Sequence, residues 1–581
     1  MDSCPGKREH SGLPKKLARI LLLILGISLL LNPFQAEAEN QSAISETRYK
    51  EIQEIIRERV DKYKVFPGIV VGIINEQGTE VIGYGRLSAQ DSRQPDGNTV
   101  FEIGSITKVF TAILLADLIE RGELELDDPI SKFLPESVKV PAYEGKQITL
   151  FHLATHSSGL PRMPDNFDPA DPENPHADYT VKQLYEFLSR YELARKIGAR
   201  VGYSNYGVGL LGHILTLHTG KDYESLVLER ICNPFQMNNT RINLSPEMRE
   251  NLAPGHNRYG EPVKNWDIRT LEGAGALRST VNDLLRFVSA NLGITQSGLS
   301  PAIERTHIPR KDMGKEDSEI GLCWIVSKKY GREIVWHNGG TGGYHSTIAF
   351  DKKKGEGVVV LTNSNYDTDD IGFHILETEY PLHEPELPRT EIKTEGEVLK
   401  RYVGKYEVTP GVVFDVTLTD EGNLMVQLTG QSAYQVFPES ETRFYYKIVD
   451  AQIEFGLDEK GQVTHLVLYQ AGNEIPAVKE GADYKPEALD TAVEIDPAIL
   501  GRYAGKYELA PGAIITVTVE EGKLMVQLTG QPKLEVYPES ETKFFYTVVK
   551  AQITFQVDTA GTVKGLTLHQ GGRDLPAKKI E

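Results

Sequence analysis

The sequence predicts an α+β domain followed by two small all-β, barrel-like modules. Two observations support this fold class. Strand-like segments lie near both ends of residues 39–382, and helical patterns fill the space between them. The remainder of the chain contains one β-rich sequence twice. The 581 residues also exceed what a single hydrophobic core holds, so several domains are expected.

The first domain is predicted to build one sheet from both of its ends, with a helical insertion between them. A helical pattern runs through 45–64, where Ile52, Ile55, Ile56 and Val60 share one face. A hairpin follows, "GIVVGIINEQG" then "TEVIGYG", and the helical patterns include "FTAILLADLIERG", "TVKQLYEFLSRY" and "TVNDLLRFVSANL". Strands return as "GLCWIVSKK", "REIVWHNGG", "YHSTIAFDKK" and "GEGVVVLTNSN". Catalytic side chains are expected where the sheet meets the insertion.

The C-terminal repeat pairs "RYVGKYEVTPGVVFDVTLTDEGNLMVQLTGQ" from residue 401 with "RYAGKYELAPGAIITVTVEEGKLMVQLTGQ" from residue 502. Within each copy, runs such as "VFDVTL" and "LMVQL" alternate apolar and polar residues, and turn signals such as "DEG" and "TGQ" separate them. This spacing predicts an antiparallel sandwich or a small barrel, opened by a short helix.

The repeats and the polar segments around them predict the domain limits. The first module spans 391–480 and the second spans 492–581. A polar, proline-containing linker covers 383–400, up to the opening helix of the first module, and a second linker covers 481–491.

The N-terminal 38 residues are predicted to be a signal peptide. Five basic residues between 7 and 19 precede the apolar run "ILLLILGISLLL", and Ala36-Glu37-Ala38 fits the small-x-small cleavage pattern. The apolar run is short for a membrane span, which needs about 20 apolar residues. We therefore expect export to the periplasm or the exterior, with an uncleaved N-terminal anchor as the alternative.

The overall charge bears on partners. Acidic residues outnumber basic ones 82 to 63, which gives a net charge of −19. This excess opposes nucleic-acid binding, which needs a basic surface. A small-molecule or peptide substrate is the expected partner, association with the cell envelope is compatible with export, and the oligomeric state is left open.

The segment "FEIGSITKVFTA", residues 101–112, holds a candidate nucleophile and its base. Ser105 and Lys108 are at i and i+3, which places both on one face of a helix. A serine needs a base beside it to become a good nucleophile, and a lysine can be that base when burial lowers its pKa. The spacing alone is equally compatible with an N-cap serine, because "SETK" at 540–543 shows it within a β module.

Two further motifs follow in order: "GYSNYG" at 202–207 and "WHNGGTGGYHS" at 336–346. With the first motif they resemble the S-x-x-K, Y-x-N and K-T-G or H-x-G pattern of the serine β-lactamase and penicillin-binding protein superfamily. The resemblance is to its class C-like branch, among the H-x-G esterases and D-peptidases, and it covers roughly 45–365. The C-terminal repeats resemble lipocalin-like β modules.

This resemblance implies a serine hydrolase that needs no cofactor or metal. Ser105 would form an acyl-enzyme and Lys108 would help to deprotonate it. Tyr203 would carry a proton to the leaving group, and Asn205 would orient the substrate and Lys108. The N–H groups of Ser105 and Gly340 would form the oxyanion hole, with His337 and Gly339 in the substrate wall.

One departure from the family pattern concerns the substrate. Lactamases of the family usually carry a lysine, which helps to hold a substrate carboxylate, where this chain has His337. Histidine is mostly neutral at pH 7. Strong recognition of a free C-terminal carboxylate, as in a β-lactam or a D-Ala-D-Ala tail, is therefore not expected. Because the H-x-G members that the chain resembles include esterases and D-amino-acid peptidases, an ester or D-amino-acid peptide is favoured over a β-lactam. The alternative function is a penicillin-binding sensor, or a non-catalytic protein that acts through its β modules.

Three other features stay open or point to structure. His152 and His156 have a zinc-compatible i, i+4 spacing but lack the glutamate of H-E-x-x-H, so a structural role is expected. The Pro/Asp-rich stretch 165–179 is either a lid over the cleft or a surface loop. Cys232 and Cys323 are expected to be buried thiols.

Overall fold

The computed structural model describes residues 43–581 except 194, 316, 388, 395, 410, 430–432, 448, 450, 471–472, 485–491, 494, 511–512, 530–532, 548–550, 559–560 and 571–572. The predicted signal peptide lies outside the described residues. The chain divides into two compact units, with the boundary between Pro385 and Glu386. Within the described part of the chain, no helix has the length and apolar character that crossing a membrane requires.

The first unit is a mixed helix and sheet fold. Its helices are α1 Glu46–Arg57, α2 Thr107–Glu120, α3 Leu150–Ala154, α4 Val181–Arg190, α5 Asn205–Thr219, α6 Tyr223–Val227, α7 Pro246–Glu250, α8 Glu272–Gly275, α9 Val281–Leu292, α10 Ser300–His307 and α11 Asp369–Leu376. Its strands are β1 Gly68–Asn75, β2 Gly78–Gly85, β3 Phe101–Glu102, β4 Ala142–Tyr143, β5 Lys146–Gln147, β6 Arg278–Ser279, β7 Lys311–Lys315, β8 Ser318–Ile320, β9 Ile325–Lys329, β10 Arg332–Gly340, β11 His345–Asp351 and β12 Glu356–Thr362.

Both ends of this unit contribute to one antiparallel sheet, as the sequence predicted. The strand order is β2-β1-β12-β11-β10-β9-β8-β7, so the N-terminal hairpin pairs with the last strand. Ile69 lies opposite Thr362, and Val71 lies opposite Val360. The helical segments between β2 and β7 form the predicted insertion.

The sheet is buried on both faces, which explains its nearly continuous apolar strands. In β12, Val358 and Val360 pack with α1 and α11 on one face. Val359 and Leu361 pack with the helical insertion on the other face. Gly72 in β1 allows α9 to approach closely, because a Cβ there would come within 2.4 Å of Val281.

The second unit contains two closed eight-stranded antiparallel barrels. The first has strands β13 Gly404–Thr409, β14 Val412–Leu418, β15 Leu424–Leu428, β16 Tyr434–Pro438, β17 Arg443–Tyr445, β18 Ala451–Leu457, β19 Val463–Gln470 and β20 Asn473–Lys479. The second has strands β21 Gly505–Ala510, β22 Ala513–Glu520, β23 Lys523–Leu528, β24 Leu534–Pro538, β25 Lys543–Phe545, β26 Ala551–Val557, β27 Val563–Gln570 and β28 Arg573–Lys579. Short helices, α12 Gly396–Lys400 and α13 Pro497–Leu500, precede them. Of the two predicted architectures, the barrel is correct.

Each barrel buries its own apolar side chains. In the first, Tyr402, Phe444 and Phe455 belong to one buried cluster. The same positions in the second are Tyr503, Phe544 and Phe555. The "SETK" segment of the second barrel is a turn and strand start, in which Ser540 Oγ accepts a hydrogen bond from the Lys543 N–H. It therefore has no part in a nucleophile site.

Candidate active site

Ser105 lies on a short 3₁₀ turn, Gly104–Ile106, which leads directly into α2. Neither the turn nor the helix has a side-chain cap hydrogen bond at its start. The N-cap alternative for Ser105 therefore has no support in the geometry. The side chain of Ser105 is half-buried, so its hydroxyl is accessible from the cleft.

The Lys108 amine reaches back along α2 to this hydroxyl. Its Nζ donates to Ser105 Oγ at 2.8 Å and to the carbonyl oxygen of Ala274 at 2.6 Å. The lysine is fully buried. Burial lowers the pKa of Lys108 to about 7; the nearby Cys323 opposes this shift, and the Arg162 charge adds to it. A large fraction of the amine is therefore neutral near pH 7 and able to accept a proton.

Tyr203 lies next to this amine, just before α5. Its ring centroid is 5.0 Å from Lys108 Nζ. Burial raises the pKa of the Tyr203 phenol, and a hydrogen-bonding interaction with Ser105 partly offsets the rise. The phenol therefore stays protonated at pH 7. Of the two groups, only Lys108 can accept a proton near pH 7.

His156 supports the Tyr203 segment from behind. Its ring stacks on Tyr203 with centroids 4.5 Å apart. Its Nδ1 accepts from the Ser204 N–H at 3.1 Å, and its carbonyl accepts from the Gly202 N–H at 2.7 Å. The other histidine of the pair, His152, shares a capping box with Thr149 at the start of α3. Both histidines thus have structural contacts, as the sequence analysis expected.

Strand β10 brings the third motif to the nucleophile. Its pleat turns His337 and Gly339 toward the helical insertion and Asn338 toward α11. A Cβ on Gly339 would lie 2.0 Å from the Ile103 carbonyl oxygen and 2.8 Å from the Ser105 nitrogen. Glycine at this position therefore allows the strand to contact the nucleophile turn.

A second glycine meets the strand from the other side. Gly104 has φ +46°, and a Cβ there would lie 2.8 Å from the Gly340 nitrogen. These contacts place the backbone N–H groups of Ser105 and Gly340 at neighbouring positions in one turn-and-strand junction. Two such donors can stabilise a developing oxyanion.

His337 is a neutral member of this wall. It is 1% exposed, and its ring centroid is 6.3 Å from that of Tyr203. Its Nδ1 lies 2.6 Å from the Asn338 carbonyl oxygen, and its Nε2 is buried without a hydrogen-bond partner among the described residues. Burial and the nearby Lys108 lower the pKa of His337 to about 3. A neutral imidazole provides no fixed positive charge for a substrate carboxylate.

Asn205 lies at the start of α5, beside the Tyr203 segment. Its Nδ2 is 3.8 Å from Met163 Sδ, and its backbone N–H donates to the Arg162 carbonyl at 3.0 Å. The hydrogen bonds of Lys108 Nζ go to Ser105 and Ala274, not to Asn205. The structure thus brings Ser105, Lys108, Tyr203 and His337 together. No hydrogen bond among the described residues joins Asn205 to the Lys108 amine.

The stretch 165–179 is joined by hydrogen bonds and ring contacts to residues 264–270. Asn174 and Asp267 exchange two hydrogen bonds, at 2.9 and 2.8 Å. The His176 ring lies 5.1 Å from that of Trp266, and a Cβ on Gly342 would come within 3.0 Å of the Trp266 Nε1. The stretch therefore packs against the segment that approaches Gly342, two residues after β10. A lid role for the stretch stays a prediction.

Sequence reasoning missed several groups around the site. The Ala274 carbonyl, in the segment "EGAGALRS", accepts a hydrogen bond from the Lys108 amine, and no sequence motif predicted that contact. Cys323 adopts a left-handed conformation, φ +59°, next to Lys108; burial raises the pKa of its thiol to about 12. Glu102 is buried and accepts from Arg278 Nη2 at 3.1 Å and from Trp266 N at 2.9 Å.

Comparison with known proteins shows the family of the chain. The profile of the family described as Beta-lactamase matches residues 52–376, more than half of the chain. A second profile, Domain of unknown function (DUF3471), matches 388–484 and 489–579. The chain belongs to the Beta-lactamase family. Its first unit is that of a class C-like hydrolase related to penicillin-binding proteins and D-alanyl-D-alanine carboxypeptidases.

Individual relatives support the same placement. Penicillin-binding protein 4* of Bacillus subtilis (strain 168) is 28% identical over 477 residues, which cover 75% of this chain and 100% of that protein. D-alanyl-D-alanine-carboxypeptidase/endopeptidase AmpH of Escherichia coli (strain K12) is 30% identical over 311 residues, 51% of this chain and 80% of the relative. A solved class C β-lactamase from Rhodobacter sphaeroides matches with a TM-score of 0.50 and 25% identity, over 57% of this chain and 99% of the other.

Proposed function

We propose that the chain is an exported acyl hydrolase that works through a Ser105 acyl-enzyme. The observation that carries this proposal is the 2.8 Å contact between Ser105 Oγ and the buried Lys108 amine. A nucleophile and base within hydrogen-bond reach are the geometric signature of covalent catalysis. The pKa of Lys108, lowered to about 7 mainly by burial, gives the amine the base character that the step needs.

Each step moves one proton. Neutral Lys108 takes the Ser105 hydroxyl proton as Oγ bonds to the substrate carbonyl carbon, and the N–H groups of Ser105 and Gly340 hold the oxyanion. As the carbonyl re-forms, the bond to the leaving alcohol or amine breaks, and the proton passes from Lys108 through the Tyr203 hydroxyl to that group. Water then adds to the acyl-enzyme, releases the acid and returns a proton to Ser105 Oγ.

The substrate class is an ester or a D-amino-acid peptide more than a β-lactam. The neutral His337 supports the ester, because the wall on β10 offers no point charge for a free carboxylate, either of a β-lactam or of a D-alanyl-D-alanine tail. The D-alanyl-D-alanine-carboxypeptidase/endopeptidase relative supports the peptide alternative. Asn205, at the rim beside Tyr203, would bind the acyl portion of the substrate.

Residues 1–38 would direct export and be removed. This proposal rests on the basic segment, the apolar run and the Ala36-Glu37-Ala38 pattern. The two barrels, whose interiors are filled by their own side chains, would pack, shape or assemble the enzyme instead of holding a small ligand.

The test measures turnover of a short-chain nitrophenyl ester, a D-alanyl-D-alanine peptide and nitrocefin by the wild type and Ser105→Ala. We expect ester or peptide turnover that disappears in Ser105→Ala, and slow or absent nitrocefin turnover. The value of kcat/KM should rise with pH through about 7, because only neutral Lys108 accepts the proton. Equal activity in Ser105→Ala would refute the proposal, and an acyl-enzyme that persists for hours would favour a penicillin-binding sensor.

A further inference from the structure

Arg162 places an exposed positive charge on the wall of the cleft that carries Tyr203. Its guanidinium carbon lies 5.1 Å from the centroid of the Tyr203 ring, and its side chain is exposed. Its backbone carbonyl accepts from the N–H groups of Asn205 and Tyr206, at 3.0 and 3.2 Å. The guanidinium therefore projects from an anchored position beside two residues of the second motif.

This charge has no acidic partner among the described residues. Within the described part of the chain, no hydrogen bond or ion pair involves the Arg162 guanidinium, and the nearby Asp165 is paired with Arg190. A second cation, Arg195, lies against Gly202, where a Cβ would meet its guanidinium. The charge does reach the site, since Arg162 is among the groups that lower the pKa of Lys108. The side of the site that includes Tyr203 thus carries a positive charge that no acidic side chain among the described residues neutralises.

The side of the site that β10 forms has no such positive charge among its described residues. His337, which faces the nucleophile, is neutral, and Asn338 points to the other face of the sheet, where its amide donates to Asp369 at 2.6 Å. His345, paired opposite Gly340 in the sheet, groups with Asp367 and Asp369, with ligand-type atoms within 4.8 Å of one another. The side chain that β10 turns toward the nucleophile, His337, therefore supplies no positive charge, whereas Arg162 supplies one beside Tyr203.

We propose that Arg162 binds a free carboxylate carried by the acyl half of the substrate. The inference rests on the proposed acyl hydrolase function and narrows its substrate class to acyl groups that end in a carboxylate. A guanidinium matches a carboxylate with two parallel N–H···O hydrogen bonds, and its exposure keeps the desolvation cost low. The acyl half is assigned because the Arg162 carbonyl accepts the Asn205 N–H at 3.0 Å, and the proposed function gives Asn205 the acyl portion of the substrate.

Two pairs of esters test the assignment with the full chain. In the first pair the acyl group is adipate, as its 4-nitrophenyl ester, ending in a free carboxylate or in a carboxamide. In the second pair the acyl group is butyrate, and the leaving group is 3-hydroxybenzoate or 3-hydroxybenzamide. The measured quantity is the ratio of kcat/KM for the carboxylate over the carboxamide within each pair.

We expect the wild-type ratio in the adipate pair to be about 10- to 100-fold, as hydrogen bonds to charged groups typically contribute. In Arg162→Gln this ratio should fall to about 1, and in Arg162→Lys to an intermediate value, because lysine keeps the charge but loses the bidentate geometry. In the butyrate pair the ratio should stay at or below about 1 in both proteins. Arg57→Gln, an exposed arginine on α1, is the matched control and should keep the wild-type ratios.

The inference is overturned if Arg162→Gln keeps the wild-type ratio, if the wild type shows no preference, or if the preference lies in the butyrate pair. Failure of the proposed function looks different. In that case the wild type hydrolyses none of the four esters and a fluorophosphonate leaves Ser105 unlabelled. Wild-type labelling at Ser105 with ester turnover but no carboxylate preference would refute the Arg162 inference alone.

Discussion

Replacing Lys108 with methionine tests whether the buried amine is neutral in the folded protein. Methionine fills a similar volume without a charge. The change removes the hydrogen bonds to Ser105 Oγ and the Ala274 carbonyl, whose contribution does not depend on pH in this range. It also removes a charge that lowers the pKa values of His337 and Cys323, but between pH 7.5 and 9.5 both neighbours are neutral in the folded protein with or without that charge. Over this range, the change with pH in the difference in unfolding free energy therefore reports the protonation of Lys108.

The expected pH dependence follows from the two pKa values. Lys108 titrates at about 7 when folded, against 10.5 for an ordinary lysine. Because its folded pKa is lowered, the unfolded chain binds one more proton between these values, and wild-type stability rises with pH. The penalty is complete below pH 7 and disappears above 10.5. Between pH 7.5 and 9.5, the wild type should gain about 2.5 kcal/mol relative to Lys108→Met.

Urea unfolding followed by tryptophan fluorescence provides the assay. All three tryptophans, Trp266, Trp324 and Trp336, lie in the first unit, so the signal reports that unit alone. Lys182→Met, at an exposed position on α4, is the control and should give a difference that does not change with pH. A Lys108→Met difference that is flat from pH 7.5 to 9.5 would mean that Lys108 is charged when folded. The base assignment would then be refuted.

Three further substitutions follow from the same geometry. Tyr203→Phe keeps the ring packing but removes the proton carrier, so kcat should fall by about 10²- to 10⁴-fold with little change in urea midpoint. Gly339→Ala places a methyl group 2.0 Å from the Ile103 carbonyl oxygen and so displaces β10, with the Gly340 N–H proposed for the oxyanion hole. The value of kcat should fall by at least about 10²-fold, and an unchanged kcat would contradict the close contact. Glu102→Ala removes the buried carboxylate 3.1 Å from Arg278 and leaves that arginine only one acidic neighbour among the described residues, the exposed Asp267 at 3.9 Å. The change should cost about 3–5 kcal/mol of unfolding free energy in the fluorescence assay, whereas a loss under about 1 kcal/mol would argue against a buried pair.

Much of the fold could be predicted from periodicity. The helix pattern over 45–64 became α1, which continues as a π-helical turn over Glu58–Lys62, and the predicted hairpin became β1 and β2. Strand alternation and turn residues were strong enough to indicate barrels. The short strands β7 and β8 were missed, because "KDMGK" and "SEI" are exposed or polar and show no apolar alternation. The segment "GLCW" is irregular instead of extended, and Cys323 there has a positive φ.

The site was predictable where side chains carry the chemistry and hidden where the backbone does. Ser105 and Lys108 could be identified from their spacing together with the two motifs that follow, and one helical turn places their side chains together. The Ala274 carbonyl that receives the amine has no sequence signature, since any residue has a carbonyl. Arg162 could not be identified from the sequence for a related reason. Its proposed role depends on its distance to Tyr203 and on having no acidic partner among the described residues, and local sequence encodes neither.

The central claim is that Ser105 is the nucleophile of an acyl-enzyme. Mass spectrometry of the intact protein after treatment with a fluorophosphonate, beside Ser105→Ala, tests it most directly. The account predicts one adduct per wild-type chain, mapped to the peptide that contains Ser105, and none in Ser105→Ala. Adduct on the Ser105→Ala protein, or an unlabelled wild type, would contradict it.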